Sequence, residues 1–160
     1  MKKRMFLLCI ALVLTGAFIL SGCGKKLQAS DLIKGIKAND VSKEATLSDE
    51  DTVAAADFAV RLFQASREEN SEVLISPVSV LYALAMTANG AGGETLTQME
   101  DVLGLSVEEL TPYLYAYKEA LASGNKYKLD LANSIWFKED DSLTVNPDFL
   151  QINADWYDAE

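Results

Sequence analysis

The sequence predicts an α+β fold that is mostly helical, with one short strand and one longer one. Three observations carry this expectation. Apolar residues recur at helical spacing in five separate stretches between Asp51 and Tyr157. A short run rich in β-branched residues, Val73-Leu74-Ile75, stops at Ser76-Pro77. Residues 127–138 alternate in the period-two pattern of a strand with one buried face.

The elements can be justified in chain order. Lys2, Lys3 and Arg4 form a basic cluster ahead of an apolar run, Met5 to Leu20, broken only by Thr15 and Gly16. A membrane span needs roughly 20 apolar residues, so this run is at the short end. Small residues then lead to a thiol in Leu20-Ser21-Gly22-Cys23, the pattern of a cleaved signal peptide. A Cys directly after Ser-Gly resembles the bacterial lipobox, which implies that residues 1–22 are removed and Cys23 is acylated. An ordinary transmembrane anchor is the alternative. One acyl chain holds a protein marginally and two or more hold it stably; a lipoprotein Cys normally carries several. The mature chain is therefore expected outside the cell, tethered by lipid to the extracellular face of a bacterial membrane.

Charge and residue inventory exclude several functions. Three of the 14 basic residues and none of the 24 acidic ones lie in residues 1–22, which leaves 11 against 24, a net −13. Nucleic acid needs a basic face, so it is not an expected partner. Anionic lipid is an equally poor match, so membrane attachment has to be covalent. The sequence has no His, which removes Ser-His-Asp and Cys-His arrangements from this chain. Cys9 leaves with the signal peptide and Cys23 is acylated, so no thiol remains for a disulfide, redox pair or zinc site. Glu139-Asp140-Asp141 lacks the alternating acidic spacing and Gly of a calcium loop, and reads as a solvated turn. The expectation is a protein that is not an enzyme, with no catalytic residues, cofactor or metal.

Residues 23–50 read as the lipidated Cys and a polar tether, with a short helix around Asp31–Lys37 left open. If flexible, residues 24–50 would reach about 25–30 Å r.m.s.. From Asp51 to about Ser66, Val53, Ala56, Phe58, Ala59, Val60, Leu62 and Phe63 mark a first helix. Ser76-Pro77 opens the second: the hydroxyl caps free N–H groups, and Pro at the first position has none to lose. Between Val78 and Ala88 only Ser79 and Thr87 are polar, and a helix apolar all round has to be enclosed on every side. This suggests that the chain is part of something larger.

Asn89-Gly90-Ala91-Gly92-Gly93 reads as a turn between helices, since no strand precedes it and no Gly-Lys-Ser/Thr follows. Glu94 to Leu103 is a third helix, with Thr95 and Gln98 at capping-box spacing and Gly104 as its stop. Val107 to Ala122 is a fourth, starting near Glu108 and Glu109 with Pro112 in its first turn and an apolar stripe of Tyr113, Leu114, Tyr117 and Leu121. A tyrosine-rich stripe can bind carbohydrate, but core packing is the commoner use. In the longer strand, Tyr127, Leu129, Leu131, Asn133, Ile135 and Phe137 face opposite to Lys128, Asp130, Ala132, Ser134 and Trp136. Asn146-Pro147 opens a last helix with Phe149, Leu150, Ile152, Trp156 and Tyr157.

Taken in order, these motifs resemble the N-terminal part of a serpin. The resemblance runs from Asp57-Phe58-Ala59-Val60-Arg61-Leu62-Phe63 through Val73-Leu74-Ile75-Ser76-Pro77-Val78-Ser79-Val80. It continues with Leu84-Ala85-Met86-Thr87-Ala88-Asn89-Gly90-Ala91-Gly92-Gly93-Glu94-Thr95, Gln98-Met99 and Leu131-Ala132-Asn133-Ser134-Ile135-Trp136-Phe137. It covers about residues 51–160, each piece weak alone but specific in order. The resemblance implies that 51–66, 77–89, 93–103, 108–122 and 146–157 are helices A to E, 73–76 a strand of sheet B, and 127–138 a strand of sheet A. It also implies structural roles for Ser76, Pro77 and Ser79 at the start of helix B, beneath the shutter where sheet A opens, and for Gly90 and Thr95 at the helix B–C turn. Glu72 departs from the family, which often has Asn there.

In activity, the resemblance implies a membrane-anchored inhibitor of a serine or cysteine endopeptidase. The target protease cuts a reactive-centre loop, which inserts into sheet A as a new strand. None of those loop residues is among these 160, and family members need more than twice this length, so residues 51–160 are expected to be a truncated serpin domain, inactive alone. The alternatives are a non-inhibitory serpin and a surface lipoprotein acting as a binding module. Heparin is not an expected partner: helix D would hold Glu108, Glu109 and Glu119 against a single Lys118.

Overall fold

The structure is a computed structural model and describes residues 30–42, 44–45, 47–67, 72–122, 131–138, 140 and 142–159. The chain divides at Ser30, and Met1–Ser30 lies almost wholly outside the described residues. The remainder, Asp31–Glu160, is built on five helices among the described residues.

Four of the five helices begin where a side chain accepts from a free amide, and in two of them a Pro at the first position removes one such amide. Helix α1 (Asp49–Ala65) starts two residues before the periodic pattern, because Ser48 Oγ accepts from the Asp51 amide at 3.0 Å. Asp49, Glu50 and Asp51 then sit in the first turn, where the helix dipole favours negative charge. Helix α2 (Pro77–Ala88) has Ser76 as its cap and Pro at its first position, as expected. Helix α3 (Gly93–Leu103) opens on Gly92 with no side-chain cap and stops at Gly104, whose φ of +82° is the left-handed conformation glycine adopts freely. Helix α4 (Val107–Ala122) contains Pro112 inside the helix, not in its first turn. The missing Pro N–H falls opposite the carbonyl of Glu108, an exposed residue of the first turn, where solvent can take the bond. Helix α5 (Pro147–Tyr157) is capped by Asn146 Oδ1, which accepts from the Asp148 amide at 2.9 Å, and ends on Asp158 at φ +47°.

Helix α2 contacts each of the other four helices. Its Leu81, Tyr82, Ala85, Met86 and Ala88 are buried against Phe58 of α1, Leu103 of α3, Leu110 and Leu114 of α4, and Tyr157 of α5. The enclosure expected on every side is present on one face: Val78, Val80 and Leu84 are half-buried and Ala83 is exposed. Among the described residues no helix is long and apolar enough to cross a membrane.

The two expected strands carry no strand among the described residues. Segment 72–76 and segment 131–138 are irregular, and 127–130 lies outside the described residues. The reason is physical: a strand exists through hydrogen bonds to a neighbour, and no ladder partner faces either segment among the described residues. The alternation survives without the ladder. Leu131, Asn133 and Ile135 are half-buried while Ala132, Ser134 and Trp136 are exposed. Val73 and Ile75 are half-buried around a fully exposed Leu74.

Residues 31–41, inside the expected tether, lie along α5. Asp31 Oδ1 accepts from the amides of Ile33 and Lys34 at 3.0 Å each, closing a turn at Asp31–Gly35 in place of a short helix. Asn39 then donates twice to Asp155 of α5, from its backbone amide to Oδ1 (2.7 Å) and from Nδ2 to Oδ2 (3.0 Å). Gln151 Nε2 donates to the Lys37 carbonyl at 3.0 Å, and Val41 is buried.

Candidate functional site

The residues singled out at the start of α2 do meet. Ser76 Oγ and Ser79 Oγ are 2.8 Å apart, and the Ser79 amide donates to Ser76 Oγ at 3.4 Å. Pro77 sits between them, and both serines are exposed. The pair can cap the helix and hold its entry angle. A Ser-His pairing is not available to either hydroxyl, since the sequence contains no His.

Gly90 lies in the turn after α2, where its amide donates to the Thr87 carbonyl at 3.0 Å. A Cβ there would meet Cδ2 and Cε2 of Phe149 at 2.9 Å, so the absence of a side chain lets α5 approach. Thr95 is exposed and joins none of the others. Its expected capping box with Gln98 does not form, because α3 already runs from Gly93 and Thr95 is within the first turn; Gln98 Nε2 bonds Glu94 Oε1 at 3.3 Å instead. Cys23 lies outside the described residues.

A buried polar cluster, not flagged from the sequence, ties this turn to α4 and α5. Asn89 Nδ2 lies 3.2 Å from Tyr157 Oη, 3.3 Å from Thr111 Oγ1 and 2.9 Å from the Ala85 carbonyl. Thr111 Oγ1 and Tyr157 Oη share a hydrogen bond of 3.0 Å. Tyr82 donates to the Leu114 carbonyl and packs edge-on against Tyr157, with ring centroids 6.2 Å apart. Burial pushes the Tyr157 hydroxyl up to about 12, while its bonds to Thr111 and Asn89 pull the other way. Burial raises Tyr82 as well, reinforced by Tyr157. Both phenols thus stay neutral and act as hydrogen-bonding groups of the core.

Two further sites concern charge. Asp155 would be raised by burial, but hydrogen bonds from the Asn39 side chain and amide and from Gln151 hold it below the usual carboxylate range. Lys118, the one basic residue of α4, pairs with Asp158 and lies 3.6 Å from Glu119 and 4.8 Å from the Tyr115 ring centre. Among the described residues no group of three or more acidic or thiol side chains is placed to hold a metal ion.

Comparison with known proteins gives one consistent result. A family model described as Serpin (serine protease inhibitor) matches residues 53–160. Plasminogen activator inhibitor 1 from Bos taurus is 33% identical over 107 residues, 61% of this chain and 26% of that protein. Leukocyte elastase inhibitor from Bos taurus is 35% identical over 106 residues, 64% of this chain and 28% of that protein. The crystal structure of a thermophilic serpin, tengpin, in the latent state superposes with a TM-score of 0.66 at 49% identity, covering 72% of this chain and 32% of the other. The chain therefore spans about a quarter to a third of the relatives it matches.

Proposed function

The chain belongs to the serpin family, and from that premise we propose that it is the N-terminal portion of a membrane-anchored serpin whose whole form inhibits a serine or cysteine endopeptidase. The observation that carries this reading is the family match across 53–160. The names of two relatives, as inhibitors of plasminogen activator and of leukocyte elastase, point the same way. In the whole protein, segments 73–76 and 127–138 become strands of sheets B and A once their neighbours supply a ladder. The alternation in burial along 72–76 and 131–136 supports that assignment. Ser76, Pro77 and Ser79 then hold the start of α2 beneath the point where sheet A opens, and Gly90 shapes the turn that leads to α3, whose first turn holds Thr95.

Inhibition in this reading is one covalent event. The protease cleaves the reactive-centre loop, the acyl-enzyme forms, and insertion of the loop into sheet A prevents hydrolysis. The protein contributes the loop and the opening sheet and supplies no nucleophile. It is held at the extracellular face of a bacterial membrane through lipid on Cys23, as Leu20-Ser21-Gly22-Cys23 supports. The test is to incubate the intact protein with a panel of serine and cysteine endopeptidases and run denaturing gels. A band that resists denaturant and runs at the summed mass of the protease and the cleaved inhibitor is expected for at least one of them. Plain cleavage by every protease, with no such band, would leave a serpin that does not inhibit.

A further inference from the structure

We propose that the segment joining the lipid to the serpin domain is fastened to α5 along residues 31–41, so that the reach of the domain from the membrane is set by Cys23–Asp31 alone. The proposal rests on the lipid-anchor reading above and on the contacts of Asn39, Lys37 and Val41. A polar stretch from 24 to 50, read from composition, would be a spacer throughout. The fastening contradicts that at specific atoms. Asp155 Oδ1 and Oδ2 each take one hydrogen from Asn39, a two-point bond to a carboxylate that fixes orientation as well as distance. Gln151 braces the same carboxylate at 2.7 Å and, from the same Nε2, holds the Lys37 carbonyl. Ile33 packs on the core and Val41 is 7% exposed, so the segment is held by apolar burial at both ends.

The consequence is one of chain length. From Cys23 to Asp51 a fully extended chain could span about 90–100 Å; from Cys23 to Asp31 it can span at most about 26–29 Å, whatever conformation the intervening residues take. A domain on the short leash meets proteases close to the lipid surface and not those deeper in the medium. Residues 23–160 carry a net charge of −13, which anionic lipid repels, so this part of the protein adds no adhesion to the leash.

The experiment uses the intact lipidated protein in its membrane, with Asp101→Cys on the exposed face of α3 carrying a donor fluorophore; Cys23, being acylated, does not compete for the label. Energy transfer to acceptor-labelled lipid headgroups is compared with the same protein bearing Asp155→Ala, and separately Asn39→Ala. Hydrogen exchange at the Asn39 amide is followed in parallel, because it reports the fastening without reference to lipid. Slow exchange at Asn39 is expected, becoming at least tenfold faster in Asp155→Ala, together with a drop in energy transfer of twofold or more. Free exchange at Asn39 in the unmodified protein overturns the fastening. Protected Asn39 with energy transfer unchanged on release overturns the short leash. Cys23→Ala serves as the anchor control and is expected to lose the membrane. If the unmodified protein also fails to fractionate with membrane, the anchor reading falls and takes the leash with it, whereas Asn39 exchange still reports the contact to α5.

Discussion

A methyl group is enough to test how closely α2 and α5 approach. At Gly90 an added Cβ would stand 2.9 Å from two carbons of the Phe149 ring, nearer than packed carbon atoms come. The ring has limited room to retreat, since it is half-buried and meets Phe137 edge-on at 6.3 Å. Overpacking of this kind costs about 1–3 kcal/mol. Gly90→Ala is therefore expected to lower the urea midpoint of the intact protein, and shortening Phe149 to Leu in the same chain should recover part of the loss. An unchanged midpoint would mean that the turn shifts freely. Asn153 makes a related point. It is 1% exposed, its Nδ2 bonds the Phe149 carbonyl at 2.8 Å, and its Oδ1 finds no partner among the described residues. Such an orphan costs about 1–3 kcal/mol if it stays unpaired.

At the scale of elements, helix boundaries were legible wherever the cap is local. Ser76-Pro77 and Asn146-Pro147 mark the starts of α2 and α5, and Gly104 marks the end of α3, through contacts within a few residues. Capping-box spacing recurs along the chain, at Thr95…Gln98 and Ser106…Glu109 among other places. Thr95…Gln98 has the pattern but sits inside a helix already under way. Ser106…Glu109 makes the box: the Glu109 amide donates to Ser106 Oγ at 3.3 Å and the Ser106 amide donates to Glu109 Oε2 at 3.1 Å. Spacing alone cannot separate the two, because the backbone decides which hydroxyl stands at the cap. The Asn89–Thr111–Tyr157 cluster was illegible for another reason: its members are 22 to 68 residues apart and meet only through packing. In the strands, alternation was readable and pairing was not, since pairing belongs to two segments at once. The box gives a direct comparison. Ser106→Ala should cost about 1 kcal/mol, while Thr95→Ala should stay within about 0.5 kcal/mol. Chemical denaturation of the two variants checks this, and equal losses would remove the distinction.

For the whole molecule, the decisive quantity is apolar surface left in water. Leu74 is fully exposed, Trp136 is 77% exposed, Val53 69% and Val60 54%. Phe63, Phe137 and Leu143 are also well exposed, and on α2 Val78, Val80 and Leu84 are only half-buried. The solved serpin that resembles this chain is about three times as long as the matched part, so there is ample chain in a whole serpin to cover these positions. Each Å² of apolar area left uncovered forfeits about 25 cal/mol. A folded domain holds only about 5–15 kcal/mol in hand, so a few hundred Å² is enough to remove it. Residues 24–160 purified alone are therefore expected to form a loosely packed or aggregating species, with retained helical circular dichroism, binding of hydrophobic dyes and no sharp melt. They should also form no covalent complex with any protease, because the proposed insertion needs a sheet and no strand is present among the described residues. A sharp cooperative melt of a monomer with dispersed amide signals would show that the five helices stabilise one another sufficiently, and a binding role for this segment alone would then become the better reading.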